Sequence, residues 1–180
     1  MPNTKNLKRY YMRDRKIPSL ILSTIGNKEI IHGTTALNAH LPKWLDRQTD
    51  DIDVFSSTPK KDARQAERLL DRQFGFDAFA LKPALHEGTT KVYSKVTGRG
   101  LADFTKPDKR PPSKKIKGKR YVTLSYINKT AKKTLKDKES AFRHAKDKDS
   151  IQRIKTFRKF NKNTRKKKKW TVPYHKSHSP

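Results

Sequence analysis

Residues 29–54 read EIIHGTTALNAHLPKWLDRQTDDIDV, and this stretch decides the fold. Its opening, Glu29-Ile30-Ile31-His32, is apolar and β-favouring, so it reads as a strand. Gly33-Thr34-Thr35 breaks that strand, and Ala36–Leu41 suits a helix start with a threonine as N-cap. Pro42 to Gln48 reads as a loop. Then Asp51-Ile52-Asp53-Val54-Phe55 alternates charged and apolar side chains, as a strand with one buried face should. Two carboxylates at i and i+2 on a strand project from the same face.

Working outward, Ile17–Ile25 reads as a short helix stopped by Gly26-Asn27, and residues 1–16 as a loose, basic arm. After the Asp-x-Asp strand, Ser57-Thr58-Pro59 supplies helix-start chemistry. The following KKDARQAERLLDRQFG places Ala63, Ala66, Leu69 and Leu70 on one stripe, and Gly75 closes the helix. Phe76–Leu85 alternates through Phe79 and Leu81. Thr89–Val96 and Gly100–Thr105 flank Thr97-Gly98-Arg99, a hairpin turn. The order is helix, strand, helix, strand, helix, then a run of strands. It predicts an α/β (α+β) class with a mixed sheet and flanking helices.

Beyond Thr105 the composition changes. Up to that residue the chain carries 18 Lys and Arg against 12 Asp and Glu; after it, 27 against 5. KPDKRPPSKKIKGK (106–119) reads as a linker or surface loop. Helical spacing returns over 120–135 and 138–160. The last twenty residues, NKNTRKKKKWTVPYHKSHSP, have no periodicity and read as a disordered tail. The expected organisation is therefore an arm (1–16), a catalytic-type domain (17–107), a basic helical segment packed on it (108–160) and a polybasic tail (161–180).

A polycation of this density attracts polyanions by releasing their condensed counterions, which makes nucleic acid the first partner to consider. The absence of cysteine excludes disulfides, thiolate metal sites and cysteine nucleophiles. No apolar run approaches the roughly 20 residues that span a bilayer. The expectation is an intracellular protein of cytoplasm or nucleus, or one packaged in a virion, with no membrane partner.

Asp51 and Asp53 have the chemistry to hold one or two hard cations, as in-line phosphoryl transfer requires. The Gly33-Thr34 turn aims a helix N-terminus at the same region, where backbone N–H groups and a hydroxyl suit phosphate. Asp103 is a lone acid in the apolar strand Leu101-Ala102-Asp103-Phe104 and needs a partner; a shared metal would serve. The plainer alternatives stand beside this. Asp-x-Asp arises by chance on strand edges, Asp50 suits a simple turn, and Asp103 has Arg47 or Lys106 as rival partners.

The pair IIHGTTALNAHLP and RQTDDIDVF resembles the opening motif of the nucleotidyltransferase superfamily, a Gly-[Gly/Ser] turn followed by Asp-x-Asp. The continuation ALHEGTTKVYSKVTGRGLADFTKP, with RYVTLSYINKTAKKTLKD and FRHAKDKDSIQRI, is similar to the poly(A) polymerase catalytic-subunit-like proteins of large DNA viruses. The resemblance covers residues 17–160. It implies a nucleotidyltransferase-like fold and transfer of a nucleoside monophosphate from an NTP to a hydroxyl, with Mg²⁺ or Mn²⁺ as cofactor. It also implies Asp51, Asp53 and Asp103 as the catalytic metal carboxylates, and Gly33 and Thr34 as the phosphate-binding turn. Thr34 stands where the family usually has Gly or Ser.

Lys91 and Tyr93 share a strand face before Asp103, placed for a triphosphate contact and a base stack, or equally for rim packing. His32 and His86 read as structural histidines, with a substrate contact as the alternative. Arg143, Lys146 and Asp147 read as charges on a helix surface, with a nucleotide contact as the sharper alternative. Arg165, Lys166, Lys167, Lys168 and Lys169 form a basic block ending in Trp170, suited to RNA or DNA phosphates and a stacked base. A partner subunit or particle is a further expectation. The rival reading is an inactive nucleotidyltransferase fold that binds nucleic acid inside a virion or ribonucleoprotein.

Overall fold

The computed structural model describes residues 3–84 and 86–170, the last six of these by backbone alone. The chain divides into two compact units, Met1–Lys129 and Thr130–Pro180. The first carries a seven-stranded mixed sheet. Its strands are β1 (Ile30–His32), β2 (Ile52–Phe55), β3 (Phe79–Pro83), β4 (Thr89–Ser94), β5 (Gly100–Thr105), β6 (Ser113–Ile116) and β7 (Lys119–Val122). Their spatial order is β3-β4-β5-β2-β1-β7-β6. β2 runs parallel to β5 and β1 parallel to β7; the other neighbours are antiparallel.

Apolar residues of the central strands alternate with polar ones, so one face of the sheet carries the core. Ile52, Val54, Ala102, Phe104 and Val92 are buried there with Ile31. Helix α4 (Pro59–Phe74) covers them with Ala63, Ala66, Leu70 and Phe74, while Leu69 is only partly buried. Proline at its first turn and Gly75 in the left-handed conformation (φ 75°) bound the helix. Asp71 ties its end to β3, its Oδ1 accepting from the Ala78 and Phe79 amides at 2.7 and 3.0 Å. Helix α2 (Ile17–Thr24) buries Ile17 and Ile21 in the same core. Helix α3 (Gly33–His40) links β1 to the loop before β2. Asn38 pins that loop by bonding both the carbonyl and the amide of Arg47.

In the first unit three expectations change. Residues 4–13 are helix α1 rather than a loose arm, capped by Asn3, whose Oδ1 accepts from the Asn6 amide. Tyr10 is only 3% exposed and packs on Phe74 and Phe79, while Arg9 and Arg13 donate to the terminal carbonyls of α4. The basic residues there cap a neighbouring helix. Next, KPDKRPPSKKIKGK is no linker, because residues 113–122 form the β6–β7 hairpin turning at Lys117-Gly118, both with positive φ. Lysines on β6 mark it as a sheet edge. Finally, α3 starts at Gly33 with His32 at its N-cap, so no threonine caps it.

The second unit holds the end of α5 (Leu124–Thr134), a short 3₁₀ turn (Ala141–Arg143) and α6 (His144–Trp170). His144 Nε2 bonds the carbonyls of Thr134 and Asp137, closing the turn between the helices. Residues 161–170, expected to be disordered, continue α6. The remainder of that tail, 171–180, lies outside the described residues. Among the described residues no helix is long and apolar enough to cross a membrane.

Candidate metal and nucleotide site

The site is built by register. His32 on β1 sits opposite Asp53 on β2, Asp53 opposite Asp103 on β5, and Asp103 opposite Lys91 on β4. Side chains at opposed positions share a face, so one row crosses four strands: imidazole, carboxylate, carboxylate, ammonium. Asp51, two residues before Asp53, joins the same face. One carboxylate oxygen from each of Asp51, Asp53 and Asp103 lies within 4.8 Å of the others. All three residues are half-buried.

Like charges gathered this closely repel unless something positive offsets them. Lys91 supplies part of that, its Nζ 3.2 Å from Asp103 Oδ2, which settles the partner that Arg47 and Lys106 were rivals for. The other oxygen, Asp103 Oδ1, is buried with no hydrogen-bond partner among the described residues. A buried carboxylate oxygen left in that state is costly. The three carboxylates, one of them with an orphaned oxygen, form an all-oxygen donor set, which fits a hard divalent cation such as Mg²⁺ or Mn²⁺.

Gly33 is the tightest point of the site. It adopts φ 64°, and a Cβ placed there would collide with Asp53 Oδ2 and lie 3.1 Å from Asp53 Cγ. The glycine therefore serves both the left-handed turn and the approach of the carboxylate. It also opens α3, and His32 makes no side-chain cap there. Thr34 is 5% exposed and belongs to the buried part of the turn. The neighbouring Thr35, which the sequence did not single out, has a buried Oγ1 without a hydrogen-bond partner among the described residues. The only sequence signal for it is its place one residue beyond the expected turn.

The surrounding contacts are structural. His32 stacks on Phe55, ring centroids 3.8 Å apart and 15° from parallel. Asp50, read as a turn residue, accepts from Arg99 on both its carbonyl and Oδ1 at 3.0 Å, joining the loop to the β4–β5 turn. Thr49 Oγ1 donates to the Asp51 carbonyl at 3.0 Å. Tyr93 is half-buried beneath Lys82, which lies 4.8 Å over its ring. A second acid group, Glu67, Asp71 and Asp77, sits at the end of α4. Burial, then repulsion from neighbouring acids, raises the pKa of Glu67; burial chiefly raises that of Asp71. Asp71 is committed to the β3 amides and Asp77 to Lys95.

In the second unit, Arg143 is exposed and Lys146 half-buried. Asp147 is not the surface charge expected: it is 7% exposed, with Oδ2 unpartnered among the described residues. Arg165 to Trp170 lie along the backbone of α6, and their side chains are outside the described residues.

No family model and no curated protein matches this chain. Among solved structures, the polyadenylate synthase of Megavirus superposes with a TM-score of 0.69 over 81% of the chain, at 19% identity. The chain shares the fold of that synthase. Its mixed sheet with flanking helices is thus an α/β fold similar to that of the viral polyadenylate synthase. The chain spans about a third of the synthase's length, 32%.

Proposed function

We propose that this protein is a metal-dependent nucleotidyltransferase that moves a nucleoside monophosphate from an NTP to a hydroxyl on RNA. The observation that carries the reading is the convergence of Asp51, Asp53 and Asp103 oxygens within 4.8 Å on one sheet face, beside the Gly33 turn. Asp51 and Asp53 would hold the metal, and Asp103 would complete the site beside the attacking hydroxyl. Bound Mg²⁺ or Mn²⁺ supplies charge neutralisation and lowers the pKa of that hydroxyl. The first-turn amides of α3, with Gly33 and Thr34, receive triphosphate oxygens. Lys91 exchanges its bond to Asp103 for a phosphate oxygen when the nucleotide arrives. The hydroxyl releases its proton to water as its oxygen bonds the α-phosphorus, the α–β bridging P–O bond breaks, and pyrophosphate leaves. Arg165 to Lys169 and Trp170 hold the RNA body. The name of the solved neighbour makes ATP the first donor to test.

The Lys91–Asp103 ion pair favours a second reading, because it already offsets one of the three acids. On that reading the fold is a non-catalytic nucleic-acid-binding component. One experiment separates the two: labelled-nucleotide incorporation from each NTP onto a mixed RNA pool, with Mg²⁺ or Mn²⁺. Label transferred by the wild type and lost in Asp51→Ala/Asp53→Ala supports the transferase. No label under either metal, with salt-sensitive RNA binding intact, supports the binding protein.

A further inference from the structure

The outer face of α4 carries five cations that the transferase site does not use. Lys60, Arg64, Arg68 and Arg72 recur every four residues, with Lys61 and Gln65 beside them. At 100° per residue these six span an arc of about 140°, and the four-residue repeat advances about 6 Å along the axis each time. All six are exposed, and together they line a single surface groove. None of the five cations makes a close ion pair among the described residues. One acid, Asp71, falls inside the arc and is tied to the Ala78 and Phe79 amides, and a second, Glu67, borders it and attracts Arg64 and Arg68.

Like charges at i and i+4 weaken a helix, and the core needs nothing from this face, since Ala63, Ala66, Leu70 and Phe74 bury the opposite one. A row of cations about 18 Å long, outnumbering the Glu67 and Asp71 carboxylates beside it, is complementary to an extended polyanion. No apolar side chain interrupts the row, which is unlike a helix that lies in a bilayer surface.

We propose that the Lys60–Arg64–Arg68–Arg72 face of α4 binds the phosphodiester backbone of single-stranded RNA; the choice of RNA over another polyanion rests on the transferase reading. α4 packs on the sheet face opposite Asp51, Asp53 and Asp103, so this surface holds the body of a strand and never its reacting end. Lysine and arginine on phosphate read no sequence, so the contact is indifferent to base order.

The test is equilibrium binding of a labelled single-stranded RNA of about 16 nucleotides to the full chain, without NTP, across roughly 50 to 200 mM salt. It compares the wild type, Lys60→Gln/Arg64→Gln/Arg68→Gln/Arg72→Gln, and an equal-charge control of scattered exposed residues, Lys28→Gln/Lys43→Gln/Lys109→Gln/Lys115→Gln. Circular dichroism and Tm establish that each variant is folded. The expected result is at least about tenfold weaker binding for the α4 variant, with a salt slope shallower by about 2 to 3. The control should stay near the wild type. Equal losses in both variants, or in neither, overturn the proposal. So does an α4 variant that keeps its RNA binding but loses binding to phosphatidylserine vesicles. Run on the Asp51→Ala/Asp53→Ala background, the same measurement stands even where nucleotide transfer is never detected, which separates this proposal's failure from that of the transferase reading.

Discussion

The carboxylate of Asp53 lies where a side chain on Gly33 would begin. The turn and the acid are therefore one unit. Gly33→Ala forces both a left-handed alanine and a displaced carboxylate. We expect it to cost about 1–2 kcal/mol in urea unfolding and to lower nucleotide transfer at least tenfold, by rough analogy with other displaced catalytic groups. A variant with full activity would separate the turn from the site.

The three acids predict how stability responds to metal. Without divalent ions, Asp53→Asn should be at least as stable as the wild type, because it removes a repulsion of about 1 kcal/mol per close pair in water. With Mg²⁺ or Mn²⁺ at about 100 times Kd, the wild type should gain about 2.7 kcal/mol while the variant gains much less. Thermal melts with and without EDTA make the comparison.

Lys91 has opposite effects on the two ligands. Lys91→Gln removes a positive charge beside Asp103, so Mn²⁺ affinity, read by calorimetry, should rise about fivefold. The KM for NTP should rise as well, because a phosphate contact is gone. Movement of both quantities in the same direction as affinity would refute the exchange of partners assigned to this lysine.

Much of this site was legible in the sequence because it depends on local spacing. Period-two alternation in Asp51–Phe55 fixed both the strand and the shared face of its acids, and the 57–75 stretch carried its own start and stop. What escaped has a common physical cause. The signals for α1 and for the β6–β7 hairpin lie in lysines and arginines, which composition reads as solvated chain. Arg9 and Arg13 cap a helix sixty or more residues away, and Lys119 donates to the Ile25 carbonyl. Such partners exist only once the fold is made. The pairing of Lys91 with Asp103 was hidden for the same reason, since it comes from register between strands.

Tyr10 tests the reassigned N-terminal helix. Tyr10→Ala removes a ring packed against Phe74 and Phe79, and we expect a loss of about 3 kcal/mol in chemical unfolding. A loose arm would lose almost nothing.

His40 gives a pH dependence. Burial, with a lesser push from Lys114, lowers its pKa below the usual 6.5, while a hydrogen bond to the Val122 carbonyl works against that shift. The folded state therefore holds the proton less well than the unfolded one. This contribution to stability is present above pH 6.5 and is lost as the pH falls through the lowered value. Unfolding measured on either side of that window should decline toward acid, and His40→Gln should flatten the decline.

The alternation that turns Asp53 to the site face also buries Ile52 and Val54, at 3% and 0% exposure. A slip of one residue between β2 and its neighbours would drive carboxylates into the apolar layer under α4 and turn two aliphatic side chains outward. The penalty for that error falls on hydrophobic burial, far larger than any preference of the acids themselves. The aliphatic layer thus acts as the gauge of the chemistry above it, and wear in that layer would surface first as misaligned carboxylates.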